Sequence, residues 1–322
     1  MIEIKGRNVP QAYKENIWVM KTYGDSGVSR NGPVISIPEP VMLTIQYPWE
    51  RVLFDPVRDA NPFFHVMEFV WMMAGSNDAK WISQFNKRML EYSDEGILRG
   101  AYGWRWSQHD QIRSAIRLLR KDPDTRQAVL SMWDPALDGS SAKSSDRPCN
   151  THIYFRAGPT GLDMTVCNRS NDMIWGMLGA NAVHMTMLHE LVALASGFKQ
   201  GVYRVFTNNL HVYPDMPNFN SIYRKTFACY DPYSYEEVRT TPLLDRNETY
   251  EMFMSDCRKM VDGDFEDGFR TNWVENVAYP MYEAYLGEHR IDYIRQIDAP
   301  DWERACSEWN ARRYSAKQAA VV

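Results

Sequence analysis

A layered α/β (or α+β) fold is predicted for this chain, on three observations. Segments of helical and strand character follow one another in the order helix, strands, helix, strand. The β-branched and aromatic runs cluster in the middle of the chain. Hydrophobic residues make up 44% and charged residues 24% of 322 residues, enough apolar material for a sizeable core. Residues 1–60 hold a turn-rich stretch, GDSGVSRNGP (24–33), and then SIPEPVMLTIQYP, which suits short strands and loops. PFFHVMEFVWMMAG (62–75) reads as a buried helix with Gly75 near its end. DQIRSAIRLLRK (110–121) places Ile112, Ala115, Ile116, Leu118 and Leu119 on one helical face. QAVLSMW (127–133), THIYF (151–155) and LDMTVC (162–167) read as strands. Residues 181–196 read as a long helix with Met185, Leu188, Val192 and Ala195 on a stripe, and GVYRVFTNNLHVY (201–213) alternates like a further strand. From 214 onward the chain is richer in Tyr, Asp and Glu, with helical segments at 248–262 and 300–318. No linker is evident. Residues 1–215 are expected to form the catalytic body, and 216–322 a mostly helical part packed on it.

Composition excludes several classes. Lys and Arg number 36 and Asp and Glu 41, a net charge of −5, which argues against charge-driven binding of duplex nucleic acid. The most apolar stretch, Met173 to Leu188, is interrupted by Asn181 and His184 and falls short of the ~20 apolar residues that span a bilayer. The N-terminus MIEIKGRNVPQ lacks an apolar signal core. The cysteines are Cys149, Cys167, Cys229, Cys257 and Cys306, an odd count with no CxxC, so neither a disulfide framework nor a zinc ribbon is expected. A protein of the reducing cytoplasm with no metal is the expectation. Eleven Trp, eighteen Tyr, thirteen Phe and eighteen Met supply a bulky core, or walls for a flat ligand.

Several residues can carry chemistry. Cys149, in DRPCN, stands beside Arg147 and before a strand; a thiol is a nucleophile as thiolate, which a guanidinium favours. Arg169 and Ser170 end a strand and suit a phosphate, although an Arg169–Asp172 ion pair in a surface turn would use the same residues. Asn181 opens a helix, as a reader of a base edge or as an N-cap. His211 and Tyr213, two apart, share one strand face, as ligand-binding groups or as a structural pair. Glu68 sits in an apolar helix, where desolvation raises its pKa unless its carboxylate reaches the surface.

The order of these residues is more specific than any one of them. Glu68, Tyr102-Gly103, Asp124-Thr125-Arg126, Arg147-Pro148-Cys149, Arg169-Ser170-x-Asp172, Asn181 and His211-x-Tyr213 together resemble the thymidylate synthases and the related pyrimidine nucleotide hydroxymethylases, over roughly residues 20–215. The resemblance implies a layered fold with a large bent mixed sheet at a homodimer interface. It implies that Cys149 attacks C6 of a pyrimidine nucleoside monophosphate, and that C5 then takes a one-carbon unit from 5,10-methylenetetrahydrofolate. Glu68 would relay protons, Asn181 would read the base, and Tyr102 and Asp172 complete the catalytic set. His211 and Tyr213 would hold the ribose. Arg30, Arg169 and Ser170 would hold the phosphate, with Arg126 reaching over from the partner subunit.

Departures from the family pattern bear on the outcome. Asn150 stands for the His after the nucleophile, Gln127 for the second Arg of a pair, Tyr154 for a strand Gln and Asn209 for the Asp before HxY. The Trp residues that flank the folate are replaced around Arg88–Glu91, Gly176 to Asn181 is one residue longer, and the tail ending AKQAAVV does not match the usual folate-closing end. Reductive methylation needs a tightly enclosed folate, so water addition, giving a hydroxymethyl group, is favoured over methylation. Asn181 points to dUMP over dCMP or CMP. The competing classes are a cysteine hydrolase pairing Cys149 with His152 or His211, and a non-catalytic nucleotide-binding homologue.

Overall fold

The structure is a computed structural model that describes all residues except 140–143, 145, 225–229, 288–289 and 320–322, with side chains left out also at 314–319. Cys229 and the last residues of AKQAAVV lie outside the described residues.

Among the described residues, ten strands form two sheets: β1 (Ile2–Gly6), β2 (Asp25–Ser29), β3 (Gly32–Ser36), β4 (Val41–Ile45), β5 (Val129–Ser131), β6 (Asn150–Ala157), β7 (Leu162–Asn168), β8 (Asn171–Asp172), β9 (Gln200–Thr207) and β10 (Leu210–Val212). The large sheet is mixed, in the order β1-β4-β9-β7-β6-β5, and the small one runs β2-β3-β10-β8. The layered α/β expectation holds, with two local differences. The turn-rich segment 24–33 is a β-hairpin whose tip, at Gly32 with φ +102°, needs a residue tolerant of that conformation. The run 201–213 is two strands, because the chain leaves the large sheet after Thr207 and enters the small one at Leu210.

Alternation along the strands gives the large sheet two unlike faces. Leu43, Ile45, Ile153, Met164, Val166, Tyr203 and Val205 are buried; the Asn181–Ala195 helix packs on β7 and β9, and the Val9–Tyr23 helix on β4. The opposite face carries two registered rows, Met42–Phe206–Cys167–His152 and Thr44–Arg204–Thr165–Tyr154–Val129, which are half-buried or exposed.

The Pro62–Met73 helix is the axis of the helical layer. Asn61 caps it, accepting the Phe64 N–H at 3.2 Å, Pro62 occupies the first turn, and Gly75 at φ +74° ends it. The Tyr102–Ser107 helix lies so close that a Cβ on Gly103 would stand 1.9 Å from the Met72 carbonyl oxygen. Two C-terminal helices also pack on it: Tyr250–Asp262 through Phe253, whose ring is 6.1 Å from that of Phe69, and Pro300–Ala319 through Trp309, whose ring is 5.5 Å from that of Phe63. Among the described residues no helix is long and apolar enough to cross a membrane.

Candidate active site

Cys149 ends the loop that feeds β6 and is partly exposed. Arg169, at the end of the neighbouring β7, closes over this loop. Its Nε donates to the Pro148 carbonyl at 3.0 Å, its Nη2 to the Arg147 carbonyl at 3.0 Å and its Nη1 to Ser170 Oγ at 3.2 Å. The same Nη2 stands 3.7 Å from Cys149 Sγ, and Ser170 Oγ stands 3.9 Å from it. The backbone adds a bond from the Arg169 N–H to the Cys149 carbonyl at 3.0 Å. The alternative reading of Arg169 as the ion-pair partner of Asp172 fails: Asp172 Oδ1 instead accepts the N–H groups of Ile174 and Trp175, capping the helix that follows. Burial raises the Asp172 pKa, opposed by those N–H bonds and by the His211 charge.

Tyr102 approaches the same loop from the short helix 102–107, where it makes a hydrogen bond with the backbone of Asn150. Burial raises its pKa, so the phenol keeps its proton. Asn150 itself is fully buried beside the nucleophile.

On the Pro62–Met73 helix and its cap, Asn61, Phe64, His65 and Glu68 form one stripe, spaced i, i+3, i+4 and i+7, that lines a cleft of about 1190 Å³. Burial raises the Glu68 pKa to about 8, so the group is largely protonated at neutral pH. Its Oε2 lies 3.4 Å from His184 Nε2, and that imidazole is uncharged, burial having lowered its pKa to about 3. His184 Nε2 also lies 3.1 Å from the His65 carbonyl, which makes it the N–H donor there. Glu68 thus lies between the two readings: it is half-buried, opens onto the cleft and is largely protonated at neutral pH.

Asp172, Trp175, Ala180 and Tyr213 line the facing wall. His211 pairs in register with Asp172, its ring is 5.2 Å from that of Tyr213, and its Nδ1 is 2.9 Å from Asn209 Oδ1. Tyr213 Oη accepts from Asn31 Nδ2 at 3.3 Å, which ties the hairpin tip to the cleft. Arg30, next to Asn31, is exposed at that tip, and Arg126 is exposed before β5; no described bond joins either to the other site residues.

Asn181 is not an N-cap. It already has helical φ/ψ (−64°, −34°), and its N–H bonds to the Gly176 carbonyl five residues back. Met173–Ala180 is a π-helix, broken at Leu178 and Gly179, and this wide turn absorbs the extra residue between Gly176 and Asn181. A Cβ on Gly176 would stand 2.5 Å from Asn171 Oδ1 and 3.3 Å from Asn181 Nδ2, so the glycine lets both amides lie against this turn.

Sequence reasoning missed Arg58, Trp175, Trp309 and Arg313, all of which line the cleft. Arg58 is buried, bonds to the Ile174 carbonyl at 3.2 Å, and its guanidinium carbon stands 4.6 Å from the Trp175 ring centroid. Among the described residues it has no carboxylate within ion-pair distance, and burial lowers its pKa. Of the stripe at 61, 64, 65 and 68 only Glu68 was read from the sequence, as a carboxylate in an apolar helix; the long-range contributors were not legible.

Comparison with known proteins agrees with this geometry. The family model described as thymidylate synthase matches residues 58–239. A deoxyuridylate hydroxymethyltransferase of Pseudomonas phage M6 is 39% identical over 343 aligned residues, covering 98% of this chain and 95% of that protein. The enzyme of the same name from Bacillus phage SP01 is 34% identical over 67% of this chain and 60% of its own length. That of Delftia phage PhiW-14 is 38% identical over 48% of this chain and 47% of its own. The motif order, the layered fold and a match over more than half the residues lead to one conclusion: the chain belongs to the thymidylate synthase family.

Proposed function

We propose that this protein is a one-carbon transferase that hydroxymethylates C5 of dUMP, with 5,10-methylenetetrahydrofolate as the carbon donor. The carrying observation is Cys149 Sγ, set 3.7 Å from the Arg169 guanidinium, with Tyr102 close enough to feel both Cys149 and Glu68; Glu68 lines the cleft, while Cys149 and Arg169 are not among its lining residues. The likeness to a deoxyuridylate hydroxymethyltransferase over 98% of the chain supports the choice of base and product.

Cys149 adds to C6 of the uracil ring, which makes C5 nucleophilic. Arg169 and Ser170 hold the phosphate next to the sulfur, so that binding the nucleotide and orienting it for attack use the same groups. Arg30 adds charge from the hairpin tip and Arg126 comes from the partner of a homodimer formed through the half-exposed sheet face. His211 and Tyr213 hold the ribose and Asn181 reads the base edge. Glu68, protonated before reaction, gives its proton to the base as the sulfur adds, and the carboxylate so formed takes up the proton lost from C5, with Tyr102 and Asp172 fixing the surrounding polar groups.

The residues present suit a folate. The cleft is larger than a nucleotide alone requires and has flat walls at Phe64, Phe85 and Trp175, with Arg58 available for a carboxylate. When bound, the folate supplies carbon at the oxidation level of formaldehyde. Addition of water to that carbon leaves the folate unoxidised, whereas reduction to a methyl group oxidises it to dihydrofolate. Incubating the protein with dUMP and methylenetetrahydrofolate is expected to consume dUMP with no rise in dihydrofolate absorbance. Stoichiometric dihydrofolate would overturn the hydroxymethylase reading in favour of methylation. The Cys149→Ser variant is expected to lose turnover and keep dUMP affinity; wild-type protein with affinity and no turnover would mean a non-catalytic homologue.

A further inference from the structure

The far wall of the cleft comes from the C-terminal helix, beyond the residues matched by the family model. Trp309 and Arg313, one turn apart on Pro300–Ala319, both line it. Trp309 is nearly buried, wedged against Phe63 at 5.5 Å and Tyr285 at 6.1 Å, and the Arg313 guanidinium covers its ring at 3.6 Å. What fixes this ledge is Asp59, in the loop before the Glu68 helix. Its Oδ1 and Oδ2 take Arg313 Nη1 and Nη2 at 2.7 Å each, and Oδ1 also takes Arg312 Nε at 3.0 Å. Asp59 has φ +48°, a left-handed conformation unfavourable for most residues and tolerated by Asp and Asn.

The geometry leaves a specific capacity unused. A guanidinium has five N–H groups and two forks. Asp59 occupies the end fork of Arg313, made by Nη1 and Nη2. Among the described residues no hydrogen bond uses Nε, so the side fork of Nε and Nη2 is open for a second carboxylate. Charge agrees, since one carboxylate at Asp59 faces two arginines and the cluster keeps a net positive charge.

We propose that the C-terminal helix is a working part of the donor site: Arg313 receives a carboxylate of the folate's glutamate through its side fork, and Asp59 is the positioning residue that holds it there. This rests on the folate-dependent reading above. Burial works against the Asp59 charge, but the hydrogen bonds and charges of Arg313 and Arg312 keep its carboxyl below the usual range, so the clasp stays closed across the neutral pH range.

The test is equilibrium binding, independent of turnover. Tetrahydrofolate and tetrahydropteroate, which lacks the glutamate, are titrated into Cys149→Ser protein saturated with dUMP. Arg313→Gln added to this background is expected to weaken tetrahydrofolate about tenfold, the loss of one charge-assisted pair, and to leave tetrahydropteroate unchanged. Asp59→Asn, which keeps the left-handed backbone, is expected to weaken tetrahydrofolate in the same sense, with dUMP affinity within about twofold, no larger than the scatter between independent sites. Equal losses for both ligands, or a lowered melting temperature with unchanged binding, would make the clasp structural only and overturn the proposal. If the Cys149→Ser protein binds neither pterin, the folate-dependent reading itself fails, a result distinct from a glutamate-independent one.

Discussion

Glu68 shows how one side chain's chemistry follows from its surroundings. Set in the apolar run HVMEFVWMM, it had two readings, and burial against an uncharged His184 selects the neutral one, with a pKa near 8 in place of 4.5. The consequence for stability has a definite sign. Between these values the folded protein keeps a proton that the unfolded chain releases, so stability is lost as pH rises from about 4.5 to about 8. Glu68→Gln removes this dependence. Its advantage over wild type in denaturant unfolding is expected to grow across that window, by ~1–4 kcal/mol, and to level off above it. Parallel curves would show that the carboxyl is ionised in the fold. At this scale the sequence was a good guide to residue type and a poor one to partners. Arg169 was legible as a charged residue ending a strand, yet its use of two carbonyls to clamp the nucleophile loop depends on β6 and β7 being neighbours, which no local spacing encodes.

Among the elements, periodicity located the helix at 62–73, the helix at 111–121 and the strands at 129–131, 150–157 and 162–168. Asn208 and Asn209 break the run 201–213, a turn signal masked by apolar alternation on both sides. The π-helix at Met173–Ala180 was not legible, because a wide turn differs from an α-helix only in which carbonyl each N–H reaches. Its trace was present as the one-residue excess before Asn181. The 102–107 helix gives a direct check on how Tyr102 is placed. Gly103 lets two helix backbones touch, so Gly103→Ala forces them apart and is expected to cost ~1–3 kcal/mol in denaturant unfolding while impairing turnover. Unchanged stability would mean that this contact does not set the position of Tyr102.

For the whole molecule, the unlike faces of the large sheet matter most. One is sealed by helices, and the other leaves Tyr154, Phe206 and Met42 only half-covered, a surface suited to a second copy of the chain. Arg126, exposed beyond the edge of that sheet, is then available to a neighbour's phosphate site. Mixing inactive Arg126→Ala and Cys149→Ser subunits under exchange conditions is expected to restore about a quarter of wild-type activity, since half the dimers carry one intact shared site. No recovery would place each active site within a single chain. The cleft extends this logic to the C-terminus, where Trp309 and Arg313 meet residues from positions 58–68. Such pairing over some 250 residues of sequence lies beyond any local pattern.

The most direct measurement is the exact mass of the nucleotide formed from dUMP and methylenetetrahydrofolate, with fragmentation to place the change on the base. C5 hydroxymethylation requires a gain of one carbon, two hydrogens and one oxygen on uracil. A gain of one carbon and two hydrogens without oxygen, the methyl product, would contradict it.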